Sequence, residues 1–212
     1  QHTRDRRQRQ MCIRDSANNS VDIQEFMIIP SNKFNFKDGL MKSVEVYTHL
    51  KNLLIEKGLS VSVGDEGGFA PNLKTSEEVL DLIILSIERA GLIYLDDISI
   101  ALDCAASELF NKDTYRLTGE NKKYSSEEMV VYIQSLVDKY EIKSVEDPFD
   151  ETDWNAWKTF TNNNKDLQIV GDDIFVTQEK ILTKGIENKV ANSILIKLNQ
   201  VGTLSETMQT IS

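Results

Sequence analysis

The strings IALDCA (100–105), KSVEDPF (143–149), QIVGDD (168–173) and SILIKLNQ (193–200) decide the fold. Each is a short apolar run that closes on a charged residue, Asp103, Glu146, Asp172 and Lys197 in turn. Short continuous apolar runs are the pattern of parallel strands covered on both faces. The last two charged residues follow their predecessors after 26 and 25 residues, the length of one strand, one helix and two loops. The first interval is 43 residues, because the polar stretch 111–124 is inserted between strand and helix. Either an open doubly wound sheet or a (β/α) barrel accommodates such strands. An open sheet concentrates its site at one switch point, whereas a barrel collects residues from the ends of several strands. Four successive strands that each end in a charge favour the barrel.

Outward from these strings, the intervening segments read as helices and loops. VDIQEFMII (21–29) is β-rich and ends at Pro30, which predicts a strand entering a turn. Residues 37–57 carry Leu40, Val44, Tyr47, Leu50 and Leu54 on a helical stripe, close at Gly58, and should pack against a sheet. In GDEGGFAPN (64–72), three glycines permit tight or left-handed backbone and Pro71 stops regular structure, so the loop bearing Asp65 and Glu66 can come close to a ligand. Thr75 with Glu78 and Ser125 with Glu128 are capping boxes that open two further helices. Trp154 and Trp157 mark a short helix, residues 174–186 the next helical region, and residues 194–198 a strand. Thr203 and Glu206 open a last helix, but the chain stops at Ser212. A helix with so little of itself present is not expected to dock, which implies a truncated carboxyl end.

Composition sets the limits. The 212 residues, 40% hydrophobic and 27% charged, suffice for one substantial core. A formal charge of −10 repels phosphate backbones and anionic membranes, so nucleic acid is a poor partner. An anionic substrate is still compatible, because a divalent ion can reverse the field within a pocket. Two cysteines, Cys12 and Cys104, are too few for a disulfide framework. With no apolar run of transmembrane length, the chain reads as cytoplasmic. The segment 1–16 stands apart: it holds five of the seven arginines and has no periodicity. It reads as a foreign, disordered leader, in preference to a basic nucleic-acid arm or a transit peptide.

The charged strand ends specify a chemistry. A single acid at a strand end is often a helix cap or half of an ion pair. Three carboxylates, Asp103, Glu146 and Asp172, converging at a barrel mouth would repel one another unless a cation were shared. Hard oxygen donors without nearby histidine or cysteine point to Mg²⁺, with Mn²⁺ a permissible substitute. Lys197 in ILIKLN is either a structural lysine paired with Glu146 or Asp172, or a general base whose pKa is lowered by desolvation and nearby cations. Glu66, with Glu25 beside it, suits a carboxylic acid kept protonated by a second carboxylate, although Glu25 is equally compatible with a solvated strand face. Base, divalent metal and acid together describe a β-elimination. The base removes a proton α to a carboxylate, metal stabilises the charge that develops, and the acid expels hydroxide from the next carbon.

These residues resemble the enolase family, the phosphopyruvate hydratases of glycolysis. The likeness is carried by QEFMI (24–28), VGDEGG (63–68), LDCAASE (102–108), EDPF (146–149), GDD (171–173) and ANSILIKLNQVGTLSE (191–206), in family order and spacing. It implies an α/β fold, an enolase-type (β/α)8 TIM-like barrel that is incomplete, with residues 17–212 forming part of the carboxyl-terminal barrel domain. It further implies a hydro-lyase interconverting 2-phosphoglycerate and phosphoenolpyruvate. Asp103, Glu146 and Asp172 would bind Mg²⁺, two ions serving each active site of the intact enzyme. Lys197 would take the C2 proton and Glu66 assist departure of the C3 hydroxyl. Glu25 would support Glu66, with Gln24 a polar neighbour of the substrate site. Cytoplasmic homodimers are the family norm. Family elements absent from this sequence include an amino-terminal domain, the first barrel strand with its histidine, and later residues that grip phosphate and carboxylate. Neither His2 in the leader nor His49, expected exposed on the first helix, replaces those histidines. The isolated chain is therefore expected to be inactive. An acid-sugar dehydratase or racemase of the same superfamily, and a non-catalytic interaction role, are the alternatives.

Overall fold

The computed structural model describes residues 21–64 and 67–212. The leader 1–16 and Glu66 lie outside them. In chain order the elements are β1 (Glu25–Pro30), α1 (Phe36–Glu56), α2 (Ser76–Arg89), β2 (Ile98–Asp103), β3 (Phe110–Asn111), β4 (Thr114–Leu117), β5 (Lys122–Tyr124) and α3 (Ser126–Tyr140). There follow β6 (Ser144–Glu146), α4 (Trp154–Asn163), β7 (Gln168–Gly171), α5 (Glu179–Asn188), β8 (Ser193–Ile194), α6 (Leu198–Val201) and α7 (Leu204–Ile211). One sheet runs in the order β1-β2-β6-β7-β8, and the polar insert forms a separate meander, β3-β4-β5. The architecture is that of an incomplete α/β barrel: β2, β6, β7 and β8 are parallel neighbours, each joined to the next through helix.

The first strand departs from simple alternation, for β1 pairs antiparallel with β2. The reason is the intervening pair of helices. A single helix returns the chain to the starting end of the sheet and gives a parallel strand. Two successive helices bring it back to the far end, so the next strand runs the other way. Both helices are capped: the Thr75 hydroxyl accepts the Glu78 N–H (3.2 Å), as the sequence calls for, and at α1 the Asn35 side chain, not singled out above, accepts the Asp38 N–H (2.9 Å). The box at α3 is reciprocal, Ser125 and Glu128 each accepting the other's backbone N–H.

Side-chain alternation places the core. Ile98, Ile100, Leu102, Val145 and Ile169 point to the helix side, where they join Leu80, Ile83, Ile87, Ile133, Leu136, Trp157 and Phe160 in one continuous cluster. The other face of β2 carries Ser99, Ala101 and Asp103, which register with Ile29, Met27 and Glu25 of β1. That face is the barrel interior. Here small and polar residues leave room for the charged ends.

Several expectations need correcting. Of the stripe on α1, Leu40, Val44 and Tyr47 are exposed while Leu50 and Leu54 are covered; the helix packs through these two with Val46 and Leu53, against α2 and β1. The helix is apolar on two sides, and sequence periodicity cannot tell which one is covered. Likewise His49 is half-buried. The segment 194–198 is mostly not strand: β8 spans two residues, and Lys197 is instead the N-cap of α6. The helical region after β7 begins only at Glu179, because residues 172–178 form the loop that carries Asp172. Finally, α7 does dock, with Thr207 and Thr210 buried and the Thr210 hydroxyl donating to the Thr177 carbonyl (2.9 Å).

Candidate active site

Register alone brings two of the charged residues together. Asp103 and Glu146 are the last residues of adjacent parallel strands and direct partners in the ladder. Glu146 is in turn opposite Val170, so Asp172, two residues beyond Val170, lies at the same end of the sheet. Glu25 reaches that end from the opposite direction, as the first residue of antiparallel β1 and the register partner of Asp103. Gln24, exposed just ahead of it, donates from Nε2 to an Asp103 carboxylate oxygen (3.2 Å).

The electrostatics follow from this crowding. Burial, then the nearby Asp172 and Asp173 carboxylates, push the Asp103 carboxyl up to about 7, against the pull of the Ala105 N–H. Burial again, with Asp103 and Asp172, pushes Glu146 up to about 8, and Glu25 adds to the same effect. Lys197 responds oppositely. Desolvation alone would lower its pKa, but contact with Asp172 outweighs burial and raises it. Of the two readings left open for this lysine, the ion pair with Asp172 is present. Its Nζ donates to one Asp172 oxygen while Gln200 Nε2 donates to the other (2.8 Å).

Beside these residues lies an acid the sequence reading passed over. Asp147 follows Glu146 in a left-handed conformation (φ 40°), and its two carboxylate oxygens accept the backbone N–H groups of Asp172 (3.0 Å) and Asp173 (2.8 Å). It thereby ties the end of β6 to the loop after β7. Asp147, Asp172 and Asp173 each offer an oxygen within 4.8 Å of the other two, and among the described residues this is the group of acids close enough to share a metal ion. Asp103 and Glu146 flank it, coupled electrostatically to Asp172 but less tightly gathered. EDPF shows the acid but not its partners, which lie 25 and 26 residues further along the chain.

The donor set suits a hard divalent cation. All candidate ligand atoms are carboxylate oxygens. The upward shifts of Asp103 and Glu146 come first from burial and then from neighbouring negative charge, and such an ion would offset that charge.

Glu66 is outside the described residues, but the ends of its loop are held. The Gly67 carbonyl accepts the Tyr47 hydroxyl (2.7 Å), and the rings of Tyr47 and Phe69 stack at 4.2 Å. Gly64, Gly68 and Phe69 line the same cavity as Gln24 and Glu25, with a volume of about 660 Å³.

No helix among the described residues is long and apolar enough to cross a membrane. The family model of the enolase C-terminal TIM barrel domain matches residues 13–212, nearly the whole chain and every element named above. With the barrel strands in order and acids gathered at one rim, the chain belongs to the family of the enolase C-terminal TIM barrel domain.

Proposed function

We propose that this chain carries part of the active site of a phosphopyruvate hydratase, the hydro-lyase that interconverts 2-phosphoglycerate with phosphoenolpyruvate and water. The observation that supports it most is Lys197 seated against Asp172 at the rim formed by Asp103, Glu146 and Glu25. With the charge of these carboxylates offset by a divalent ion, a half-buried lysine amine could lose its own proton and take a weakly acidic one from the carbon next to a substrate carboxylate.

In this reading Lys197 Nζ takes the proton from C2. Its pairing with Asp172 fixes the amine at the rim and keeps it charged, so it acts as a base only after its own proton has left. Glu66 delivers a proton to the departing C3 hydroxyl, and Glu25, on the same cavity as that loop's flanks, keeps the acid protonated by charge repulsion. Gln24 orients Asp103. Asp103, Glu146 and Asp172 would hold Mg²⁺, with Asp147 and Asp173 against Asp172. When bound, the cation offsets negative charge developing on the substrate carboxylate. Two such ions per site, a cytoplasmic homodimer and no nucleic-acid partner complete the proposal. Among the described residues the sheet has five strands, so turnover is assigned to the completed barrel enzyme and the isolated chain is expected to be inactive.

The test is to supply 2-phosphoglycerate to the complete enzyme carrying this sequence while Mg²⁺ is titrated, following the ultraviolet absorbance of the enol phosphate. A metal-dependent rise supports the reading. No rise with this substrate, alongside turnover of an acid sugar, would assign the site to a dehydratase or racemase instead.

A further inference from the structure

Behind the charged rim lies a ring of hydrogen bonds that begins and ends on Lys197. The Lys197 backbone N–H donates to the Thr177 hydroxyl oxygen (2.9 Å). That hydroxyl donates to Gln200 Oε1 (2.8 Å), and Gln200 Nε2 donates to Asp172 Oδ1 (2.8 Å). The circuit closes through Asp172 Oδ2, which accepts the Lys197 ammonium. Each link fixes the direction of the next. The Thr177 oxygen accepts a backbone N–H, and its proton goes to Gln200 Oε1 at 2.8 Å in preference to the Leu195 carbonyl at 3.4 Å. With its carbonyl oxygen thus engaged, the Gln200 amide can only present its NH₂ to the aspartate.

The backbone at Thr177 is itself unusual. Val176 and Thr177 have φ of 44° and 54°, two β-branched residues in succession in the left-handed region. Such positions persist only where the surroundings over-determine them, and they cluster at functional sites. Here the surroundings are explicit: Thr177 is fully buried and α7 clamps its carbonyl through Thr210. The turn aims one hydroxyl at the cap of α6, where a strand continuing through 194–198 would have had no need of it.

We infer that Thr177 and Gln200 are positioning residues. They set the orientation of Asp172 and hold it in place against Lys197, so that acid and amine share one fixed geometry. The inference rests on the proposed function for what Asp172 binds, but not for the ring itself. Partners that orient a metal-binding carboxylate are worth about 10- to 100-fold in affinity.

The experiment compares the chain with Thr177→Val, which keeps the shape and removes the hydroxyl, and Thr177→Ser, which restores it. Gln200→Met, at a half-buried position, breaks the ring without disturbing Thr177, and serves if the valine variant fails to fold. Two readouts are taken. The first is Mn²⁺ affinity by electron paramagnetic resonance; the second is hydrogen exchange of the Gln200 side-chain amide by NMR, in metal-free protein. Weaker Mn²⁺ binding by about 10- to 100-fold in Thr177→Val and Gln200→Met, with Thr177→Ser near the parent, is the expected result. Slow Gln200 amide exchange in the parent and Thr177→Ser, lost in Thr177→Val, is expected alongside it. Unprotected Gln200 amide protons in the parent, or Mn²⁺ affinity unmoved in both ring-breaking variants, would overturn the inference. A parent that binds no Mn²⁺ would count against the metal-dependent function, and amide exchange alone would then decide the ring.

Discussion

Glu25, the first residue of β1, stands directly across the ladder from Asp103, the last residue of β2. An acid from the start of one strand and an acid from the end of its neighbour therefore share a rim, which is possible only because the two strands run in opposite directions. Proximity of Glu25 also contributes to the raised pKa of Glu146. Replacing Glu25 by Gln is expected to lower turnover of the complete enzyme by about 100-fold, within the range of a lost acid–base group. Mg²⁺ affinity should change little, and steady-state kinetics at several metal concentrations separates the two.

Lys197→Ala should abolish more of the activity, by about 10²- to 10⁴-fold. The side chain is 40% exposed and Asp172 keeps its bond from Gln200, so the fold is expected to survive. Unchanged far-ultraviolet circular dichroism together with the lost turnover is the predicted outcome. Near-normal turnover would remove Lys197 from the chemistry.

Gly171 ends β7 immediately before Asp172, and a Cβ there would stand 2.5 Å from the Phe175 ring and 2.6 Å from Ile174. The same ring crowds Gly185 of α5, at 2.5 Å, so Phe175 has no side to retreat to. Gly171→Ala is expected to cost about 1–3 kcal/mol by overpacking, measured by urea denaturation. Because the displaced segment carries Asp172, weaker Mn²⁺ binding should accompany the lost stability.

Stripped of metal with a chelator, the protein should lose stability as pH rises. Asp103 and Glu146 hold their protons to about 7 and about 8 in the folded chain, against about 4 when unfolded. Between roughly pH 4 and 8 the folded state thus binds more protons than the unfolded one, and the sign of the linkage makes unfolding easier with each step upward. A thermal midpoint lower at pH 8 than at pH 6, with the difference reduced by added Mg²⁺, is the expected result. A midpoint that climbs over this interval would show that these two acids are not crowded as described.

Much of this molecule could be read from its residues in order. Periodicity placed α1 within a residue of its observed limits and the capping boxes placed the starts of α2 and α3, because those signals are local and act within a turn or two of helix. The rim acids Asp103, Glu146 and Asp172 were legible as strand ends, since a charge closing an apolar run has only the end of the sheet to go to.

Tertiary structure alone decided which side of α1 is covered, that Lys197 caps a helix in place of extending a strand, and that Asp147 rather than Glu146 is gathered with Asp172 and Asp173. The ring through Thr177 and Gln200 belongs to the same class. Its members are separated by up to 28 residues, and nothing in a threonine or a glutamine advertises a partner. Local sequence sets where the backbone can turn, extend or coil. Which polar groups then meet depends on strand register and on the path of the loops, and these are fixed only when the whole core packs.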